Sequence, residues 1–561
     1  MLPGIVWVTL DSGESISGAS GLAHVANKTV MTGDTRVQVG SVTKVLISMG
    51  VLRMVSTGAL SLDQSVEALL PELSWQNAWR DRAPITIRHL LEHTSGLDNI
   101  RMWQFLSTRP TPSTPLIDAF SIGQSNLLTV RSEPGHQYSY SNMGYTLLGM
   151  VIEKISGERY EAYLARELLS PLGMQDSTFF FTTQSDDSRL AMGYVGKDLE
   201  QAAVPMFLRP AGQFTTTAND MRHLLQFLLG EGDIDGDAFV DSDLMQQLGR
   251  STTTAASRAG LSIGHGLALA MRDRHGVIGD CHPGTTFGFR AYLCVFRDQQ
   301  KAFFYAINGD IEGVDYERFN VHFIDKINMT VQPIELPSGA EVLAAYTGLY
   351  ALAPSNMAQF AWLDWLFNSI WITQADTADG LLLQSLQSPD QLLLPLGEHT
   401  FRASERSIAS HVFLGPDNRR LSNGLYTWER ASLSLLLLSW ISVLAGIIGF
   451  VFVLVRGGWL VLAGKMRAHA GLMLPFLTLV AMALPIGLFW QQSYLRFGEL
   501  TVASGLFAVL TGLLSLSLGV SLLIETRRSE RRWVDLFALV AALQLCVVLV
   551  FHDVLPIMFW R

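Results

Sequence analysis

From Ala431 to Val455 no residue carries a charge, and a run of that length crosses the hydrocarbon core of a bilayer as a helix. Comparable runs follow at about Gly471–Trp490, Leu500–Ile524 and Leu536–Phe551, so the sequence predicts four spans. Buried helices of a soluble core are usually shorter and keep a polar face, which these runs lack. Nearly all the charge lies ahead of Arg430. That asymmetry describes a soluble catalytic or binding portion with a membrane tail. A chain of 561 residues also exceeds what one hydrophobic core organises.

The loops between the runs set an expected orientation. Arg456, Lys465 and Arg467 lie between the first two, and Arg527, Arg528, Arg531 and Arg532 between the last two. Only Arg496 lies between the middle pair, and Arg561 follows the last. Positive loops stay cytoplasmic, so residues 1–430 are expected on the extracytoplasmic, periplasmic side of a bacterial cytoplasmic membrane. An exported domain needs a signal, and Met1–Leu10 shows no basic segment followed by a long apolar one. Either an upstream signal is missing from this sequence or the orientation is the reverse, and a missing start is the expectation. The net charge of −10 and the lack of a basic stripe argue against nucleic acid as a partner. The expected partners are a small-molecule or peptide substrate and the lipid bilayer.

Three cysteines, Cys281, Cys294 and Cys546, form no C-x-x-C pair. Cys546 sits in an apolar run. Cys281 and Cys294 would face each other across a hairpin in an oxidising compartment, but spacing alone does not decide whether they bond.

Periodicity organises the first 430 residues. Ile5–Leu10 reads as a strand, and Ser41–Thr57 as a helix with apolar positions at Val45, Leu46, Met49 and Leu52. Further helices are predicted at Tyr145–Ile155, Asp220–Leu229 and Tyr316–Ile327. Strands are predicted at Leu267–Met271, Gly276–Asp280, Phe289–Phe296 and Ala302–Asn308. Helices in the middle, with strands at both ends, indicate an α/β (α+β) sandwich on an antiparallel sheet. Val331–Gly339, with two prolines, reads as a linker. Short apolar runs such as Ile370–Thr373 and Leu381–Leu383 then read as a small β domain. The expected domains are 1–330, 340–428 and a four-helix membrane domain over 431–561.

The chemistry concentrates in three places. Ser41-Val42-Thr43-Lys44 opens the first helix. Three-residue spacing puts hydroxyl and amine on one helical face. A protonated serine hydroxyl is a poor nucleophile and needs such a base, and lysine serves only if burial or nearby positive charge lowers its pKa. Tyr140-Ser141-Asn142 adds a phenol that can relay protons and an amide that can hold both a substrate carbonyl and the lysine. His282-Pro283-Gly284-Thr285 enters a strand run. Gly284 there lets substrate approach the backbone, and the Thr285 N–H is a candidate second oxyanion donor. His89-Leu90-Leu91-Glu92-His93 also matches the inverted zinc-protease pattern, in which both imidazoles share a helix face.

In this order the three elements resemble the serine β-lactamase and penicillin-binding-protein superfamily, in its class C-related branch of D-alanyl-D-alanine carboxypeptidases, D-aminopeptidases and esterases. Leu60-Ser61-Leu62-Asp63, Leu90–Leu97, Glu133-Pro134-Gly135, Pro210-Ala211-Gly212 and Thr217–Asp220 support it over about residues 3–330. The resemblance implies a β-lactamase/transpeptidase fold and an acyl-enzyme on Ser41. Lys44, Tyr140 and His282 are the implied catalytic residues, the Ser41 and Thr285 amides the oxyanion hole, and Asn142 and Gly284 the substrate contacts, with no metal or cofactor. The small β domain resembles the lipocalin-like module that often follows this hydrolase. The sequence departs from true β-lactamases at His282 and Pro283, where those enzymes carry Lys-Thr, so a substrate carboxylate would meet a weaker positive charge. A sensor that binds cell-wall fragments or lactams, with vestigial hydrolysis, is the alternative function; Thr94–Leu97 resembles the family's structural loop rather than a zinc-protease helix.

Overall fold

The computed structural model describes residues 2–121, 126–197, 199–330, 343–376, 379–397, 399–528 and 532–561. The expected linker at Val331–Gly339 and Arg531 lie outside them. The chain forms two compact units, one of residues 1–100, 110–354 and 370–429, the other of 101–109, 355–369 and 430–561.

The first unit is built on an eight-stranded antiparallel sheet. Its order is Gly264–His265, Ala270–Arg274, Val277–Thr286, Phe289–Phe296, Lys301–Ile307, Gly4–Asp11, Glu14–His24 and Thr29–Val30. The amino-terminal strand thus pairs in register with the strand laid down some 300 residues later, Ile5 opposite Ile307 and Asp11 opposite Lys301. One face is covered by Glu317–Lys326, whose Phe323 and Ile324 pack on Phe303, Tyr305 and Ile307. The helical layer contains Thr43–Ser56, Asn142–Ser156 and Ala218–Leu229. Cys281 stands opposite Cys294 in the sheet register, and a disulfide joins them.

Two sequence expectations need correction here. The strand expected at Leu267–Met271 begins only at Ala270, because residues 266–269 use their backbone groups on Gln247 and Leu248 of a neighbouring loop and on a turn of their own. The strand expected to end at Asp280 runs on to Thr286, carrying His282, Pro283 and Gly284 within it. Proline is tolerated there because the preceding sheet neighbour has already ended, its pairing stopping at Cys281.

The same unit holds a closed eight-stranded barrel from Gly348–Leu352 to Thr427–Arg430. Alternate inward residues, among them Tyr350, Ile372, Leu381, Leu393, Phe401 and Leu421, fill it. Val412 of the barrel packs on Ala256, Leu261 and Ile263, and Asp273 Oδ2 accepts from the Ile408 N–H at 2.9 Å.

In the second unit four apolar helical segments are long enough to cross a membrane: Leu433–Leu462, Met466–Phe489, Val502–Thr526 and Trp533–Phe551. The first continues past Arg456, which the sequence placed in a loop. Its guanidinium lies 4.9 Å from the Trp459 ring centre, one turn along. Large side chains such as Ile448 and Val455 remain about two-thirds exposed, as lipid-facing positions do. Where helices meet, residues are small. A side chain on Gly449 would fall 2.7 Å from the Ala538 carbonyl oxygen, so the first and last helices approach backbone to backbone.

Candidate active site

Ser41 sits in a short 3₁₀ turn, Gly40–Val42, that leads directly into the helix Thr43–Ser56. The sequence expectation of an α-helix starting at Ser41 is therefore two residues early. The tighter turn is imposed from outside. Gly40 has φ +51°, and a Cβ on it would lie 2.6–2.7 Å from the backbone atoms of Thr285. A Cβ on Gly284 would fall 2.0 Å from the Val39 carbonyl oxygen and 3.2 Å from the Ser41 nitrogen. Only paired glycines let this strand pass so close over the start of the helix. The same closeness brings the backbone amides of Ser41 and Thr285 beside each other.

Lys44 lies one turn beyond Ser41 and is fully buried. Its Nζ bonds Ser41 Oγ at 2.9 Å, Asn142 Oδ1 at 2.8 Å and the Ala211 carbonyl at 2.6 Å. Burial holds the amine well below the ordinary lysine pKa. Asn142 is aimed by Asn99, whose Oδ1 accepts from Asn142 Nδ2 at 2.7 Å.

Burial pushes the Tyr140 phenol upward, which the nearby Ser41 hydroxyl only partly offsets. It is therefore a phenol, not a phenolate, near neutral pH. Its position is set by His93. The His93 carbonyl accepts from Ser139 N–H at 2.7 Å, its Nδ1 accepts from Ser141 N–H at 3.0 Å, and its ring centre lies 4.3 Å from that of Tyr140. The residues on both sides of Tyr140 are thus tied to one histidine.

His93 is not the second ligand of an inverted zinc-protease helix. The helix Ile87–Leu91 ends before it, and His93 has φ +55°. His89 is used as a cap instead, its Nδ1 accepting from Thr86 N–H at 3.2 Å. Glu92 accepts from Thr252, Thr253 and Arg88.

His282 is buried on the strand two residues before Gly284, with Nδ1 donating to the Pro283 carbonyl at 2.7 Å. Burial, and then Lys44, hold its pKa well below the usual histidine value. The imidazole is therefore neutral, and the positive charge that a Lys-Thr-Gly strand offers is missing altogether rather than merely weakened. Sequence reasoning missed three members of the site: the Ala211 carbonyl, Asn99, and a third buried imidazole, His265. The last lies 4.8 Å from His93 and 6.0 Å from His282, ring centre to ring centre.

Residues 1–323 match the family model described as Beta-lactamase. The chain is 30% identical over 312 residues to Penicillin-binding protein 4 of Amycolatopsis lactamdurans, which covers 52% of this chain and 77% of that protein. It is 23% identical over 365 residues to Penicillin-binding protein 4* of Bacillus subtilis (strain 168), covering 60% of this chain and 77% of that one. The solved structure of SurE superposes with a TM-score of 0.50 at 22% identity, over 77% of this chain and 95% of that chain, a likeness of fold. With the sheet, the helical layer and the Ser41–Lys44 pair in place, this chain belongs to the Beta-lactamase family of serine hydrolases.

Proposed function

We propose that this chain is a membrane-anchored hydrolase that opens amides or esters through an acyl-enzyme on Ser41. The observation that carries the reading is the hydrogen-bond set of Lys44. A neutral amine has two N–H donors and one lone pair. The Asn142 and Ala211 oxygens accept two hydrogens, which leaves the lone pair for the Ser41 O–H. Lys44 then takes the Ser41 proton as Oγ bonds to the substrate carbonyl carbon. Tyr140, kept as a phenol, delivers a proton to the departing nitrogen or oxygen and takes one back from the Lys44 ammonium, which restores the neutral amine. The Ser41 and Thr285 amides hold the oxyanion, and Asn142 borders the substrate. Water then cleaves the acyl-enzyme with Lys44 again as base.

The substrate class follows from His282. With a neutral imidazole beside Gly284, a free carboxylate gains no ion pair, which favours small esters and D-amino-acid amides over D-alanyl peptides and β-lactams. The four apolar helices serve as anchor, and the positive loops between them support an extracytoplasmic catalytic unit. Full-length protein in detergent, assayed on p-nitrophenyl acetate, a D-amino-acid amide and a D-alanyl-D-alanine peptide, tests this order. Faster turnover of the carboxylate-bearing peptide contradicts the role given to His282. Turnover retained in Ser41→Ala contradicts the role given to Ser41.

A further inference from the structure

Three imidazoles converge next to the serine centre: His93, His265 and His282, each no more than 3% exposed. One ring nitrogen from each lies within 4.8 Å of the others. Each Nδ1 is already used by the backbone, which leaves the Nε2 atoms to take a ligand. The Nε2 atoms of His93 and His265 are buried without a hydrogen-bond partner among the described residues. Native interiors rarely leave such atoms unmatched, and each calls for an explanation.

The Nδ1 contacts fix what each Nε2 has to offer. His265 Nδ1 lies 2.7 Å from the Gly266 carbonyl, and His282 Nδ1 lies 2.7 Å from the Pro283 carbonyl. A carbonyl only accepts, so both Nδ1 atoms carry hydrogen and both Nε2 atoms present lone pairs. This is the arrangement in which histidine binds a metal, with the far nitrogen oriented by a backbone carbonyl. His93 differs. Its Nδ1 accepts from the Ser141 N–H, so its Nε2 bears the hydrogen and is a donor. The trio is therefore two ligands and one hydrogen-bond donor, not three ligands.

We infer that His265 and His282 form a binding site for a divalent transition metal ion of the zinc or copper type, with His93 donating to the oxygen that completes the ion's coordination. Imidazole nitrogens select such ions over magnesium or calcium, and copper binds them more tightly than zinc. His282 borders Gly284 and Thr285, so an ion there occupies the substrate side of the pocket and blocks turnover. That inhibitory half rests on the Ser41 reading above, whereas the metal site does not.

Full-length protein in detergent, titrated with one equivalent of Cu²⁺ and read by electron paramagnetic resonance, tests the site on the wild type itself. Hyperfine coupling to two imidazole nitrogens is expected, and it is expected unchanged in Ser41→Ala. Coupling to three imidazoles overturns the donor role of His93, and its absence overturns the site. Zn²⁺ affinity by calorimetry should fall at least tenfold in His265→Phe, with folding checked by circular dichroism. An unchanged affinity in that folded variant also overturns it. Zn²⁺ should slow fluorophosphonate labelling of Ser41 at least tenfold in the wild type. Metal binding without slowing overturns inhibition alone, and failure of the probe to label Ser41 without metal overturns the serine reading alone.

Discussion

Lys44 Nζ and Ser41 Oγ lie 2.9 Å apart, with the lysine fully buried and its other two contacts both carbonyl oxygens. On the proposed mechanism, that arrangement suits the amine to act as the base by geometry as well as by environment. Lys44→Met keeps the length of the side chain and removes its nitrogen. We expect kcat/KM to fall roughly 10²–10⁴-fold, the range for loss of a positioned general base. The carbonyls left unpaired cost about 1–3 kcal/mol of stability. Stopped-flow acylation and urea denaturation measure the two effects separately.

The same burial sets the pH dependence. It disfavours the charged amine, so the folded pKa lies below the ordinary lysine value. The active base is then present near neutral pH, and acylation is lost as pH falls through the lowered value. A profile of kcat/KM against pH should show an acid limb well below the usual lysine range. A limb near pH 10, where an unperturbed lysine titrates, contradicts the assignment.

Gly40→Ala probes the contact of helix and strand. Gly40 has φ +51° and backbone atoms of Thr285 within 2.7 Å of a built Cβ, whereas Gly58 has φ +75° with open space around it. Gly58→Ala is expected to cost about 1 kcal/mol for left-handed backbone alone. Gly40→Ala should cost more, and should lower acylation by pushing Thr285 from Ser41. Equal costs would show that the strand is free to move.

His411 makes a separate stability prediction. Burial, and next the charge of Arg406, lower its pKa from 6.5 to about 3. Below pH 6.5 the unfolded chain binds a proton that the folded chain refuses, so stability falls as pH drops towards 3. The slope is about 1.4 kcal/mol per pH unit for one such group. Between pH 6 and 5 the wild type should therefore lose about that much more than His411→Gln. Parallel losses would mean the imidazole titrates normally.

Much of this was legible in the sequence, because the proposed nucleophile Ser41, its neighbour Lys44, the Tyr140–Asn142 segment and the His282 strand are local motifs. Helix periodicity placed Asn142–Ser156 and Ala218–Leu229 within three residues at each end. What escaped is non-local. Ala211 reaches Lys44 across 167 positions through its backbone, which no side-chain pattern encodes. His265 sits in a two-residue strand, Gly264–His265, too short for alternation to register. Its partners His93 and His282 read as separate motifs, and only the folded sheet brings the three rings together. The His282 strand runs on to Thr286 although proline and glycine are poor strand formers, because Pro283 and Gly284 are held by pairing with Tyr292 and Ala291.

The most direct test is intact-mass labelling of the full-length protein with a fluorophosphonate, on wild type and Ser41→Ala. One adduct on the wild type, mapped to Ser41 and lost in the folded variant, is the predicted result. No adduct on folded wild type, or an adduct that persists in Ser41→Ala, would contradict Ser41 as the nucleophile.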